Sequence, residues 1–85
     1  MKPTVSIYSY ETREGVIEIV GRPAGGFDVR IEGEILGYYH SAEQALDDIV
    51  GDHLGSTPFD TGLDQLGIPD ELSEWNKRML AVARI

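Results

Sequence analysis

Four short runs of strand-forming residues fill the first forty residues, and polar turn segments separate them; the first and third runs alternate between apolar and polar side chains. Val5 and Ile7 stand between polar neighbours, and Phe27, Val29 and Ile31 repeat the pattern. A period of two places alternate side chains on opposite faces of a strand. The breaks between the runs are of hairpin length and contain glycine: residues 11–15, 21–26 and 32–34. The pattern therefore predicts a meander of four antiparallel strands.

A helix is predicted to follow the meander, over residues 41–54. Ser41 and Gln44 have the spacing of a capping box, in which the serine hydroxyl accepts a hydrogen bond from the amide three residues later. The apolar residues after the cap fall on one side of a helix with a 3.6-residue period: Ala42, Ala45, Leu46, Ile49 and Val50. Gly55 with Pro58 behind it is a typical end for such a helix.

The last third of the chain is predicted to contain a loop and a second helix. Residues 55–69 have several glycines and no periodicity, which is typical of a loop. Pro69 and Asp70 suit the start of a helix. The apolar residues that follow recur at helical spacing: Leu72, Trp75, Met79 and Ala83. This spacing predicts a C-terminal helix.

The chain of 85 residues has the length of one small domain. We expect a single α+β domain over residues 1–85, in which a four-stranded antiparallel meander packs on one helix and a second, C-terminal helix completes the core. Cysteine is absent, which excludes disulfides, thiolate zinc sites and a cysteine nucleophile. No apolar run approaches the roughly 20 residues of a membrane span, and the first residues lack the apolar stretch of a secretory signal. We therefore expect a cytoplasmic protein that does not bind membranes.

Negative charge is concentrated in the middle third of the chain. Seven basic and 15 acidic side chains give a formal net charge of −8. Residues 41–70 contain seven of the acidic side chains and no lysine or arginine. Nucleic acids and anionic membranes are themselves negative, so both are disfavoured as partners. The charge instead favours a protein with a basic surface.

Asp47, Asp48 and Asp52 are the candidate binding residues on the predicted helix. All three lie toward its carboxyl end, where the negative macrodipole makes each acidic side chain cost about 0.3–1 kcal/mol. Three interpretations stay open. The carboxylates form a solvated face that keeps the protein soluble, they pair with basic residues of the predicted C-terminal helix, or they bind a basic partner. The basic residues of that helix are Lys77, Arg78 and Arg84.

A second candidate surface is a face of the sheet that carries tyrosines. If Val5 and Ile7 face the helix, Tyr8 and Tyr10 lie on the opposite face. Arg30 is expected on this same face. Exposed tyrosines on an open sheet are frequent at protein interfaces. The alternative is that the loop or the last helix covers them.

Catalytic and metal-binding residues are not indicated by the sequence. His40 and His53 lack the spacing of zinc ligands, and the aspartates do not follow the pattern of a calcium loop. The serines have capping or loop explanations, and Gly25-Gly26 does not join a strand to a helix as a phosphate-binding loop does. We therefore expect no enzyme activity, no cofactor and no metal site.

Residues 26–45 run from an aromatic strand through a Leu-Gly-Tyr-Tyr strand to a Ser-Ala-Glu-Gln-Ala helix. The segment resembles the strand–turn–strand–helix unit of ethylene-response-type DNA-binding domains and of the arm-binding domain of phage-type integrases. The resemblance implies a helix packed across a small sheet, and a sheet face that enters the major groove through arginines and tryptophans. Here that face offers Arg30 between Asp28 and Glu32, with no tryptophan, so the basic footprint for phosphate contact is missing.

The whole chain also resembles a group of small bacterial proteins of unknown function. These carry a Tyr-His-Ser-Ala-Glu-Gln-Ala stretch, an acidic glycine-rich loop and a Pro-Asp-Glu-Leu-Ser-Glu-Trp stretch, and the resemblance implies no activity. We expect a non-enzymatic, acidic protein-interaction module whose partner is another protein. Two alternatives stay open: a nucleic-acid-associated protein with an integrase-arm-like fold, and an acidic mimic that binds a DNA-binding protein. The sequence does not determine the oligomeric state.

Overall fold

The computed structural model describes residues 4–81. Five strands, one helix and two short 3₁₀ turns occur in this part of the chain. The strands are β1 (Thr4–Thr12), β2 (Gly15–Gly21), β3 (Phe27–Ile31), β4 (Glu34–Tyr39) and β5 (Asn76–Ala81). The helix α1 spans Ala42–Val50, and the 3₁₀ turns span Leu63–Gln65 and Leu72–Glu74.

All five strands form one antiparallel sheet in the order β4-β3-β2-β1-β5. β1 to β4 follow one another through short turns, and β5 returns to pair with the free side of β1. The prediction of four strands and a second helix at the C-terminus is wrong, because Asn76–Ala81 forms a fifth strand. The remainder of that predicted helix, residues 82–85, lies outside the described residues.

β5 forms because β1 offers unpaired backbone groups on the side that β2 does not use. Pairing satisfies the hydrogen-bonding groups of both strands, and it brings Met79 opposite Ser6. The Ser6 hydroxyl also donates to the Met79 sulfur at 3.3 Å. The expected helix stops after one 3₁₀ turn, since Trp75 already has an extended backbone.

α1 begins as its capping box predicts. The Ser41 hydroxyl accepts a hydrogen bond from the amide of Gln44 at 3.1 Å. The buried side of the helix is its apolar stripe: Ala42, Ala45, Leu46 and Ile49. No helix within residues 4–81 is long and apolar enough to cross a membrane.

The helix ends at Val50, earlier than the predicted boundary at residue 54. Asp52 adopts the left-handed backbone conformation, with a φ of 57°. Its amide donates to the carbonyl of Ile49, and the amide of His53 donates to the carbonyl of Asp48. These two bonds are the Schellman pattern, which ends a helix and satisfies its last carbonyls.

The core lies between α1 and one face of the sheet. The sheet contributes fully buried β-branched residues of β2 and β3: Ile17, Ile19, Val29 and Ile31. The segment between α1 and β5 adds three more buried side chains: Leu63, Leu66 and Trp75. We call the sheet face under this cover the α1 side, and the opposite face the outer face.

The register of β1 reverses the expected orientation of its side chains. Tyr8 and Tyr10 lie opposite core residues of β2, so they are on the α1 side and pack against the core. The ring centroids of Tyr10 and Trp75 are 5.8 Å apart. Val5 and Ile7 alternate with the tyrosines and lie on the outer face. The two tyrosines therefore belong to the packing of the domain rather than to an open surface.

The loop between α1 and β5 is hydrogen-bonded to the turn that joins β1 and β2. The carboxylate of Glu14 accepts from the amides of Asp60 at 2.7 Å and Thr61 at 3.1 Å. Hydrogen bonding to Thr61 and Asp60 holds the pKa of Glu14 below its usual value. Within the loop itself, the indole nitrogen of Trp75 donates to the carbonyl of Pro69 at 3.1 Å.

Replacing Ile19 with alanine is expected to lower the free energy of unfolding by about 2–5 kcal/mol, because the side chain is fully buried in the core. Ile19→Val is expected to cost about 0.5–1.5 kcal/mol. Urea unfolding followed by the fluorescence of Trp75 measures both losses. Val16→Ala is the control, since Val16 is 41% exposed; its effect should stay within about 0.5 kcal/mol. A loss for Ile19→Ala no larger than that of the control would contradict this core.

Candidate functional site

The acidic residues between Glu43 and Glu74 all belong to α1 or to the segment that follows it. This acidic segment has nine carboxylates and no lysine or arginine: Glu43, Asp47, Asp48, Asp52, Asp60, Asp64, Asp70, Glu71 and Glu74. Among residues 4–81, no lysine or arginine nitrogen lies within 4.0 Å of any of these carboxylates. The lysines and arginines of the described chain therefore form no ion pairs with the acidic segment.

Two of the basic residues expected to pair with α1 have other partners. The Lys77 ammonium lies 5.4 Å from the ring centroid of Tyr8. Arg78 lies 4.0 Å from Glu18, on the outer face of the sheet. The intramolecular interpretation therefore does not hold for Lys77 and Arg78, and Arg84 lies outside the described residues.

Charges on the outer face pair with one another. Arg22 lies 2.6 Å from a carboxylate oxygen of Asp28, and Arg30 lies 3.7 Å from the other. Asp28 itself is 2% exposed, so two guanidinium groups compensate one buried carboxylate. Arg30, a candidate binding residue from the sequence, is thus explained by this arrangement.

A shallow cleft joins β4 to α1 at one edge of the sheet. The end of β4 and the residue after it supply aromatic groups, and α1 supplies polar ones. On the helix the polar residues are spaced i, i+3 and i+4, which places them on one flank. The cleft is lined by Tyr38, Tyr39, His40, Gln44, Asp47 and Asp48. We call it the β4 cleft.

Glu43, one helical turn before Asp47, does not line the β4 cleft. It lines a separate depression together with Tyr8, Trp75 and Lys77. The acidic residues of the helix are therefore divided between two sites, and Asp47 and Asp48 are the ones beside β4.

Tyr39 and Asp48 interact within the β4 cleft. The pKa of the Tyr39 phenol is raised to about 12, mainly by burial and further by the neighbouring Asp48 carboxylate. The same carboxylate lies 3.6 Å from the Nδ1 atom of His53. Asp48 thus has two neighbours within the chain. Asp47 has no side-chain hydrogen bond or ion pair among residues 4–81.

Asp52 has a structural role that the sequence did not indicate. It ends the helix, and its carboxylate accepts a hydrogen bond from the amide of Leu63 at 3.2 Å. This contact connects the end of α1 to the start of the first 3₁₀ turn. Asp52 therefore helps to order the loop and does not line the β4 cleft.

The structure brings together two of the residues chosen from the sequence, Asp47 and Asp48. The other candidates lie elsewhere: Asp52 at the helix end, Tyr8 and Tyr10 on the α1 side, and Arg30 on the outer face. Sequence reasoning did not identify Tyr39 as a neighbour of the aspartates. The sequence carries no signal for this contact, because Tyr39 precedes the cap of α1 whereas Asp47 and Asp48 lie toward the end of the helix.

Within the described part of the chain, no group of three or more histidine, aspartate and glutamate side chains is arranged to hold a metal ion.

Comparison of the chain with protein-family models, with curated proteins and with solved structures gave no match. The resemblance of residues 26–45 to ethylene-response-type and integrase arm-binding domains therefore stays a prediction.

Tyr39→Phe is expected to remove one phenol that titrates with a pKa of about 12. The difference in tyrosinate absorbance between the unmodified protein and the variant isolates this group. Asp48→Asn is expected to lower the Tyr39 pKa toward the ordinary value of 10.0, because it removes the neighbouring negative charge. A difference titration centred near the ordinary value in the unmodified protein would contradict the burial of Tyr39 beside Asp48.

The same shift predicts how stability depends on pH. The pKa of Tyr39 is higher in the folded chain than in the unfolded one, so the phenol stabilises the fold below the unfolded value of 10.0. This contribution is lost as the pH rises through about 12. Urea unfolding across this pH range should show that the free energy of unfolding falls less for Tyr39→Phe than for the unmodified protein.

Proposed function

We propose that this protein is a non-enzymatic interaction module that binds a basic protein surface through its acidic segment. The observation that carries the proposal is that, within residues 4–81, nine carboxylates have no lysine or arginine partner. The arginines of the outer face already neighbour acidic side chains there. A basic partner would supply positive charge, and electrostatic attraction would speed its association and favour it over other partners.

Asp47 gives local support to this proposal. Its side chain is exposed, and it lies four residues after Glu43, where like charges cost about 0.2–0.5 kcal/mol. It also lies toward the negative end of the helix dipole. A residue that destabilises the helix it belongs to, with no contact that compensates for the cost, is typical of a functional position.

A nucleic-acid-associated function has less support. The sheet face that would read DNA is the outer face, where Arg22 and Arg30 lie beside Asp28 and Arg78 lies beside Glu18. Acidic neighbours reduce the attraction to phosphates. An acidic mimic is a special case of the present proposal, because the groove of a DNA-binding protein is a basic protein surface.

Reversing Asp47 and Asp48 to lysine is expected to weaken binding of an arginine-rich probe peptide about tenfold, or about 1.4 kcal/mol. Attractive charges become repulsive in this double variant. Fluorescence anisotropy of the labelled peptide measures the affinity at about 0.05 M and about 0.2 M salt. The affinity of the unmodified protein is expected to fall with added salt, and that of the variant to fall less.

Glu11→Lys combined with Glu32→Lys is the matched control. It changes the net charge by the same amount at two exposed positions outside the acidic segment, and its effect should stay below about twofold. Equal losses in the two double variants would mean that net charge alone attracts the peptide, which would overturn the proposed surface. Failure of the unmodified protein to bind the peptide even at low salt would overturn it as well.

A further inference from the structure

β4 presents a free strand edge. Among the described strands it pairs with β3 alone. Its residues, Glu34–Tyr39, include no lysine, arginine or proline, which commonly protect an edge from pairing. Ile35 and Tyr38 are 54% and 47% exposed. β5, at the opposite edge, carries Lys77 and Arg78. β4 carries Glu34 and a register irregularity against β3 between Val29 and Arg30, but it has no positive charge that would repel a basic segment.

The two sides of the β4 edge differ in chemistry. Ile35 and Tyr38 lie on the outer face, as their register with β3 shows. Tyr39 lies on the α1 side, where Asp47 and Asp48 form a wall of the β4 cleft. Both sides of the edge therefore carry a tyrosine, but Ile35 lies on the outer face and the acidic side chains lie on the α1 side.

We propose that the free edge of β4 binds an extended segment of the basic partner as a sixth strand. The proposal rests on the proposed function and specifies the partner's chemistry: a segment in which basic and apolar side chains alternate. Alternate side chains of an added strand point to opposite faces. The basic ones meet Asp47 and Asp48, and the apolar ones lie beside Ile35 and Tyr38. Backbone hydrogen bonds supply affinity in this mode, and the side chains supply specificity.

An arginine already binds beside β4 within the chain. The Arg22 guanidinium lies 4.6 Å from the ring centroid of Tyr38 and 2.6 Å from a carboxylate oxygen of Asp28. A tyrosine ring and a carboxylate attract a guanidinium by cation–π and charge-assisted contacts. On the α1 side of β4, Tyr39 and Asp47 offer the same two groups. We therefore expect arginine to be preferred over lysine in the bound segment.

A second copy of the chain is the competing occupant of this edge. Each copy has a formal net charge of −8, so two copies repel one another. Pairing of two β4 edges would also bring the Asp47 and Asp48 carboxylates of both copies to one interface. A basic segment meets no such repulsion, and charge complementarity favours it.

The first test compares two peptides of about six residues, the usual length of a strand. Both contain arginine and valine in equal number; in one they alternate, and in the other all the arginines precede the valines. The alternating peptide is expected to bind at least about tenfold more tightly, because only it places all its arginines on one side. Alternate amides of the peptide can be N-methylated in two patterns, the odd-numbered or the even-numbered ones. One of the two patterns should abolish this advantage, since it removes the N–H donors that pair with β4.

The second test compares matched variants of the protein with the alternating peptide. Ile35→Lys protects the β4 edge with a charge and is expected to weaken binding about tenfold. Leu80→Lys makes the same change on β5 at a residue that is 52% exposed, and its effect should stay below about twofold. Asp47→Lys should likewise weaken binding more than Glu43→Lys, because Asp47 lines the β4 cleft and Glu43 lines a separate depression. Urea unfolding midpoints check that all four variants fold.

The outcomes separate this inference from the proposed function. Equal affinity for the two peptides, or equal losses in Ile35→Lys and Leu80→Lys, would overturn strand addition. The proposed function stands without strand addition if the unmodified protein still binds the peptides and if Asp47→Lys and Glu43→Lys weaken binding to the same extent. Absence of binding to either peptide at low salt would overturn both. Light scattering that finds a dimer of the free protein, lost in Ile35→Lys, would assign the edge to a second copy.

Discussion

The burial of the α1 stripe against β2 and β3 is the interaction on which the arrangement of the surface depends. Ala45 and Ile49 are completely buried against the sheet, so the polar residues between them face away from it. α1 follows β4 after a very short connection, and this keeps one flank of the helix beside the β4 edge. The positions of Asp47 and Asp48 next to Tyr39 are thus a consequence of core packing together with chain connectivity.

The packing also separates the charges. Acidic residues lie on the helix and the loop, whereas Arg22, Arg30 and Arg78 lie beside acidic side chains on the outer face. The buried carboxylate of Asp28 requires its guanidinium neighbours, since an unpaired buried charge is strongly destabilising. Arg22 and Arg30 therefore stay on the outer face, because they compensate the buried charge of Asp28. Within residues 4–81, no lysine or arginine lines the β4 cleft beside Asp47 and Asp48.

The parts of the fold that could be predicted from the sequence are those where independent signals coincide. The start of α1 has both a capping box and a 3.6-residue apolar period. β5 was missed because Trp75 and Met79 are four residues apart, and a spacing of four places two residues on one side of either a helix or a strand. In β1 both alternating sets, Val5 with Ile7 and Tyr8 with Tyr10, are apolar enough to face a core. The predicted meander already places β4 at an edge of the sheet, as observed. Periodicity does not show where α1 packs, so the cleft between α1 and β4 was not predictable.

The three aspartates near the end of α1 show how contacts distinguish structural from binding residues. Sequence position alone makes them equivalent, since each lies toward the negative end of the helix dipole. Asp52 is explained by the Schellman ending and by its bond to Leu63. Asp48 is explained in part by Tyr39 and His53. Asp47 has no such contact within residues 4–81, although it opposes the dipole and repels Glu43. Since nothing in the described chain offsets that cost, Asp47 is the residue whose presence argues most directly for a basic partner.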